Sequence, residues 1–173
     1  MIRTLATGLA LSLLLAGCLQ APAPQTNYRD ANVPLSVTTR GGIDAMQGLW
    51  VVRGAFPDSA SIRSVTIAPR GDGKITVDIA QPECEPECHI LSGTWPAERI
   101  AQNRLRLLTD SAQDLELWVI WMDEGVRTAV VGTPDGGAAF ILDRKAQGGG
   151  DRIHAAREIL EFNGYDIAQL VML

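Results

Sequence analysis

Histidine occurs only twice in the 173 residues, at His89 and His154, and neither stands with a serine or cysteine in a recognisable nucleophile motif. Basic runs are missing too. Lys plus Arg number 15 against 20 Asp plus Glu, and the formal charge of −5 becomes one unit more negative without Arg3, which argues against nucleic acid as a partner. Gly148-Gly149-Gly150 lacks the Lys and Ser/Thr that would make it a phosphate-cradling loop. Cysteine is limited to Cys18, Cys84 and Cys88, with no second His/Cys cluster to complete a structural zinc tetrad. Nothing in this inventory indicates an enzyme, a metal centre or a cofactor.

No apolar run is long enough to cross a bilayer: Leu5 to Leu15 is about half the roughly 20 residues a spanning helix needs. With Arg3 ahead of it, this stretch reads as a cleaved export signal over residues 1–17. The signal closes on Leu15-Ala16-Gly17-Cys18, which resembles the lipobox of bacterial lipoproteins, where the cysteine thiol takes a diacylglycerol. The resemblance implies a mature protein that begins at lipidated Cys18 and is tethered to a membrane; an ordinary signal with an incidental cysteine is the alternative. Leu19 stands where lipoproteins retained at the inner membrane often carry Asp, which favours a periplasm-facing protein of the outer membrane.

Residues 18–42 are rich in Ala, Pro, Gln, Asn and Thr with little periodicity, and read as a tether. What remains, 43–173, is enough for one domain. From Trp50 to Arg144 short apolar alternations are broken by turn residues every 8 to 12 positions, the spacing of an antiparallel sandwich or barrel. Ile75-Thr76-Val77-Asp78-Ile79 is the clearest. Eight strands are expected near 48–55, 62–68, 74–80, 88–94, 103–108, 115–122, 126–132 and 138–143, with turns at Gly71-Asp72-Gly73, Asp123-Glu124-Gly125 and Pro134-Asp135-Gly136-Gly137. Up-and-down connection is the simplest topology. Asp151 is then a candidate N-cap for a helix that stops at Asn163-Gly164, with Ile153, Ala156, Ile159 and Leu160 on one face. Ile167 to Val171 is expected as a short closing strand.

Three blocks carry a further resemblance. Gly48-Leu49-Trp50 resembles the GxW signature of lipocalins; Trp118 to Asp123 with Ala129 to Pro134, and then Phe140 to Arg144, follow the order and spacing of the second and third conserved blocks of that family. Glu161 to Ile167 resembles the segment that bacterial lipocalins place after the eighth strand. The resemblance, from about Ile43 to Leu170, implies a mainly β, eight-stranded antiparallel barrel with one helix outside. It also implies structural roles for Trp50 across the closed end and for Arg144 upon it, where a guanidinium over an indole contributes roughly 0.5–2 kcal/mol. The chain departs from the family at Ala138 or Ala139, where one large residue is usual, and in the short loops from Phe56 to Thr109, so ligand type does not carry over.

Strand parity nominates the side chains that would line a ligand cavity: Ile75, Val77, Ile79, Leu105, Leu107, Leu117, Val119 and Trp121, with Ala129, Ala139 and Ile141. The leading reading of Cys84 and Cys88 is a local disulfide pinning the loop between the third and fourth strands, with a metal site shared with His89 or free thiols as alternatives. Two functions follow. In the first, a tethered lipocalin holds a fatty acid, lysophospholipid or similar amphiphile; in the second, a filled barrel works through its surface, as an inhibitor or scaffold would. A contiguous apolar cavity of about 300 Å³ or more separates the first from the second.

Overall fold

The structure, a computed structural model, describes residues 27–70, 74–81, 93–110 and 114–173. The signal, Cys18, the turn at Gly71-Asp72-Gly73, and Cys84, Cys88 and His89 lie outside the described residues.

Eight antiparallel strands form a closed barrel: β1 (Gly48–Ala55), β2 (Ser64–Pro69), β3 (Ile75–Ala80), β4 (Gly93–Ala101), β5 (Arg104–Leu107), β6 (Leu115–Met122), β7 (Thr128–Gly132) and β8 (Ala139–Asp143). Each strand pairs with the next, and β1 closes the ring by pairing with both β2 and β8. Closure removes free sheet edges and sends alternate side chains to a common interior. The upper half of β1 carries a ninth short strand, β9 (Val171–Met172), paired at Gly54 and Ala55.

One strand lies elsewhere than the sequence suggests. The fourth was expected near 88–94, but β4 runs from Gly93 to Ala101 and includes Pro96 opposite Thr76. A proline reads as a strand breaker because it cannot donate; here its carbonyl still accepts from Leu108 at 2.8 Å, and the strand passes through it. The closing strand also moves: Ile167–Gln169 form a 3-10 turn, and only Val171–Met172 pair.

Helix α1 (Gly150–Phe162) lies outside the barrel. At 13 residues it is marginal alone, so its stability comes from contact. Ile153, Ala156 and Leu160 bury against Ile120, Val130, Ala139 and Ile141 on the outer face of β6 to β8. Its N-cap is Gly149 in the left-handed region rather than Asp151, which stands in the first turn, where its charge suits the helix dipole. Arg152 anchors that end, donating to Thr128 Oγ1 at 2.8 Å and to the buried Asp143 carboxylate at 3.2 Å.

The stretch read as tether is in its described part a strap on the barrel. Tyr28 is 2 % exposed and stacks on Phe56, which stacks in turn on Tyr165. Arg29 donates to the carbonyls of Asn163, Pro134 and Val33. A Pro- and Ala-rich composition gave no periodicity to announce this, because the strap docks through separate contacts of Tyr28, Arg29, Leu35, Ser36 and Thr38 rather than through a face. Gly164, with φ near +83°, lets the chain turn back beneath it; a Cβ there would stand 2.9 Å from Val33 Cβ.

Candidate functional site

The barrel interior is the site the fold builds. Its base is closed by a 3-10 turn, Ile43–Met46, whose Ile43 and Met46 are buried under the strands. Trp50 lies across this end fully buried and donates its indole N–H to the Met46 carbonyl at 2.7 Å. The Arg144 guanidinium sits 3.7 Å from the indole centroid and donates to the carbonyls of Leu49 (2.9 Å), Ala45 (3.1 Å) and Gln47 (2.9 Å). Burial lowers the Arg144 pKa from its ordinary value, but the group remains a cation. One arginine thus ties the turn, the first strand and the end of the eighth together.

The walls are aliphatic. Ile75, Val77 and Ile79 of β3, Leu105 and Leu107 of β5, Leu117 and Val119 of β6, and Ala129 of β7 all belong to the interior cluster. The remaining three nominees lie outside it. Trp121 falls on the outer face because β6 carries a bulge: Val119 pairs with Val131, yet Trp121 pairs with Val130, one residue out of step. The extra residue reverses parity, so Ile120 and Trp121 face helix α1 and Met122 turns inward. Ala139 and Ile141 also lie under the helix, while Phe140 and Leu142 point in.

Parity reasoning missed Val65, Ile67, Val131, Phe140 and Leu142. For Val65 and Ile67 the signal was present, since Ser64, Thr66 and Ala68 alternate with them and are less buried. For β8 there was none: all five residues are buried, and a strand covered on both faces has no polar beat to read.

Twelve side chains, among them Met46, Ile79, Leu105, Leu117, Phe140 and Leu142, surround an apolar cavity of about 30 Å³. Among the described residues no titratable group lines it. This is close to the space of a single water and about a tenth of the roughly 300 Å³ that separates the two functions, so as it stands the described interior falls on the filled-barrel side. The room expected from small side chains is not realised, because Ala139 lies outside and Phe140 fills its place. Apart from Trp95, considered below, the described interior offers a ligand apolar contact and nothing else.

Outside the base, the turn after β6 is built on Asp123. Its carboxylate accepts from the backbone N–H groups of Arg127 (2.5 Å), Thr128 (2.7 Å) and Gly125 (3.3 Å) and from Arg127 Nε (3.0 Å). Burial alone would raise its pKa, but these donors outweigh burial and hold it below the ordinary value of 3.8. Among the described residues no group of three His, Cys, Asp or Glu side chains could hold a metal ion, and no helix is long and apolar enough to cross a membrane.

The barrel fold is shared with solved structures. Lipocalin 12 from rat epididymis superposes with a TM-score of 0.59 at 15 % identity, covering 81 % of this chain and 90 % of its own. Insecticyanin from the tobacco hornworm Manduca sexta gives 0.55 at 14 % identity, covering 80 % and 83 %. Apocrustacyanin C1 gives 0.59 at 9 % identity, covering 78 % and 79 %. At such identities the likeness establishes the barrel alone. None of the curated protein sequences matches the chain. The lipocalin-like domain matches residues 44–173, the stretch that forms the base turn, the barrel and the helix, and the chain therefore belongs to the lipocalin-like family.

Proposed function

We propose that this protein is a lipocalin of the cell envelope, held to the outer membrane through a lipid on Cys18, that takes one slender single-chain amphiphile of the fatty acid or lysophospholipid class into its barrel. Members of its family are in general binding and transport proteins rather than enzymes. The observation that carries the reading is the lining, closed at the base by Trp50 and Arg144 and apolar at all twelve described positions. Burying a chain there contributes about 0.8 kcal/mol per CH₂, so ten methylenes supply about 8 kcal/mol before the cost of ordering them.

The small volume restricts the ligand. Any occupant has to part side chains such as unbranched Met46 and the Phe140 ring, which a flexible chain of methylene width does at less cost than a fused-ring or branched ligand. The strap shortens the anchor as well: roughly ten residues separate Cys18 from Tyr28, so the domain lies within about 35 Å of the lipid.

Calorimetric titration with saturated fatty acids of increasing length tests this reading. Affinity should rise with chain length until the barrel is full, with a negative heat-capacity change from apolar burial. No heat at any length, with purified protein verified as folded, would remove the reading.

One observation favours the second function, a filled barrel acting through its surface: the cavity of about 30 Å³. In that case the protein stays ligand-free at every chain length and its partner is a protein. The strap docked on the barrel through Tyr28 and Arg29 would then be part of the surface it presents.

A further inference from the structure

Among the described residues, Trp95 is a polar-edged side chain of the strands that packs against the interior cluster. It stands on β4 opposite Val77 of β3, with Ala97 two residues further on opposite Ile75. Val77, Ile75 and Ala97 are interior, and Trp95 packs against the same cluster while remaining partly exposed. Its ring leans back over Gly93, the first residue of the strand; a Cβ there would stand 3.7 to 3.9 Å from the indole, with Nε1 among the nearest atoms. The polar edge thus lies beside Gly93, at the end of β4 away from the base turn, and Trp95 is not among the side chains around the cavity.

That Nε1 is buried and, among the described residues, has no hydrogen-bond partner. Two other tryptophans show what a satisfied indole looks like here. Trp50 donates to the Met46 carbonyl, and Trp118 donates to the Glu116 carboxylate at 3.2 Å. An indole N–H can only donate, and leaving it buried without an acceptor costs its desolvation with nothing in return. A ligand that brings an acceptor to the mouth removes that cost; one whose head can only donate does not.

We propose that Trp95 Nε1 is the donor that fixes the ligand head, binding an acceptor oxygen of a carboxylate or phosphate at the mouth while the chain runs down toward Met46. The inference rests on the barrel-binding reading above and adds to it a residue and a head-group preference. Charge on the acceptor shortens and strengthens such a bond, which favours ionised oxygen over a neutral hydroxyl. An amine head, a donor only, gains no hydrogen bond from Trp95 Nε1.

The test uses the full chain labelled with ¹⁵N at tryptophan, which gives four indole signals, one for each Trp. Dodecanoate, dodecyl phosphate and dodecylamine, with one chain and three heads, are titrated separately below their micelle concentrations. The expected result is a downfield move of the Trp95 indole proton with dodecanoate or dodecyl phosphate, the larger move naming the head. Trp95→Phe, which keeps an aromatic ring and deletes the N–H, should weaken that ligand about tenfold or more and leave dodecylamine unchanged. If Trp95→Phe does not fold, the wild-type indole signal under the three heads decides alone. Uptake of dodecanoate or dodecyl phosphate with the Trp95 signal unmoved, or with equal affinity in Trp95→Phe, overturns the proposal and leaves the barrel reading intact. No uptake of any of the three overturns both.

Discussion

Phe140 decides how full the barrel is, and replacing it with alanine has a calculable result. The ring is 5 % exposed, lines the interior cavity and sits opposite Val131 on β7. Removing a buried phenyl group costs about 3–5 kcal/mol, and residual space adds about 24 cal/mol per Å³, so the two ends of that range differ by roughly 80 Å³ of cavity that stays open. The walls here are β-strands hydrogen-bonded on both sides, which resist collapse, so the expected cost is in the upper half of the range. With a urea m-value of about 2 kcal/mol/M, the midpoint falls by about 2 M while m is unchanged. Added to the existing cavity of about 30 Å³, the new space approaches the roughly 150 Å³ that holds benzene, so small apolar compounds should raise the midpoint of the variant more than that of the wild type. A cost below about 1 kcal/mol would refute the reasoning, since it would mean that the ring is not part of a close-packed interior.

Arg144→Lys removes the planar fork while keeping the charge; with at most one or two of its three carbonyls still reached and the indole face less well covered, it should cost about 2–3 kcal/mol in urea unfolding, and a loss under about 0.5 kcal/mol would show that the base is held by Trp50 alone. Asp123→Asn should cost about 1–3 kcal/mol at neutral pH. Because the folded pKa of Asp123 is depressed, its stabilisation is present above the ordinary value of 3.8 and is lost as pH falls through the lower folded value; the gap between wild type and variant should therefore close in acid, and a pH-independent gap would contradict the assignment. Arg29→Ala should release the strap without opening the barrel, seen as faster amide exchange at Tyr28, Asp30 and Val33 with unchanged protection in β6 and β7; uniform loss of protection would mean that the strap is part of the cooperative core.

Much of the barrel was legible because β3 alternates cleanly and the turns after β6 and β7 carry Asp and Gly where a chain reversal needs them. The base was legible through Gly48-Leu49-Trp50 and Arg144. What escaped had physical reasons. A bulge is a local count of residues against a partner strand, which a single strand read alone does not reveal, and it put Trp121 on the wrong face. β8 is buried on both sides, so Ala139 and Ile141 were assigned inward by a parity that the composition could not fix. Pro96 hid β4, since its cost depends on whether its nitrogen faces a partner. Tyr28 and Arg29 dock as individuals in a segment whose surroundings look like linker.

The central claim is that the barrel takes a slender apolar chain, and native mass spectrometry of the protein purified without denaturation tests it most directly, with organic extraction of whatever travels with it. The account predicts a stoichiometric adduct of single-chain lipid mass that survives Trp121→Ala, since Trp121 faces the helix, and is lost in Leu117→Arg, which places a charge among the lining side chains; both variants would be checked for a native circular dichroism spectrum. A bare mass in the wild type, persisting when fatty acids and lysophospholipids are supplied, would contradict the account and identify the barrel as a filled scaffold.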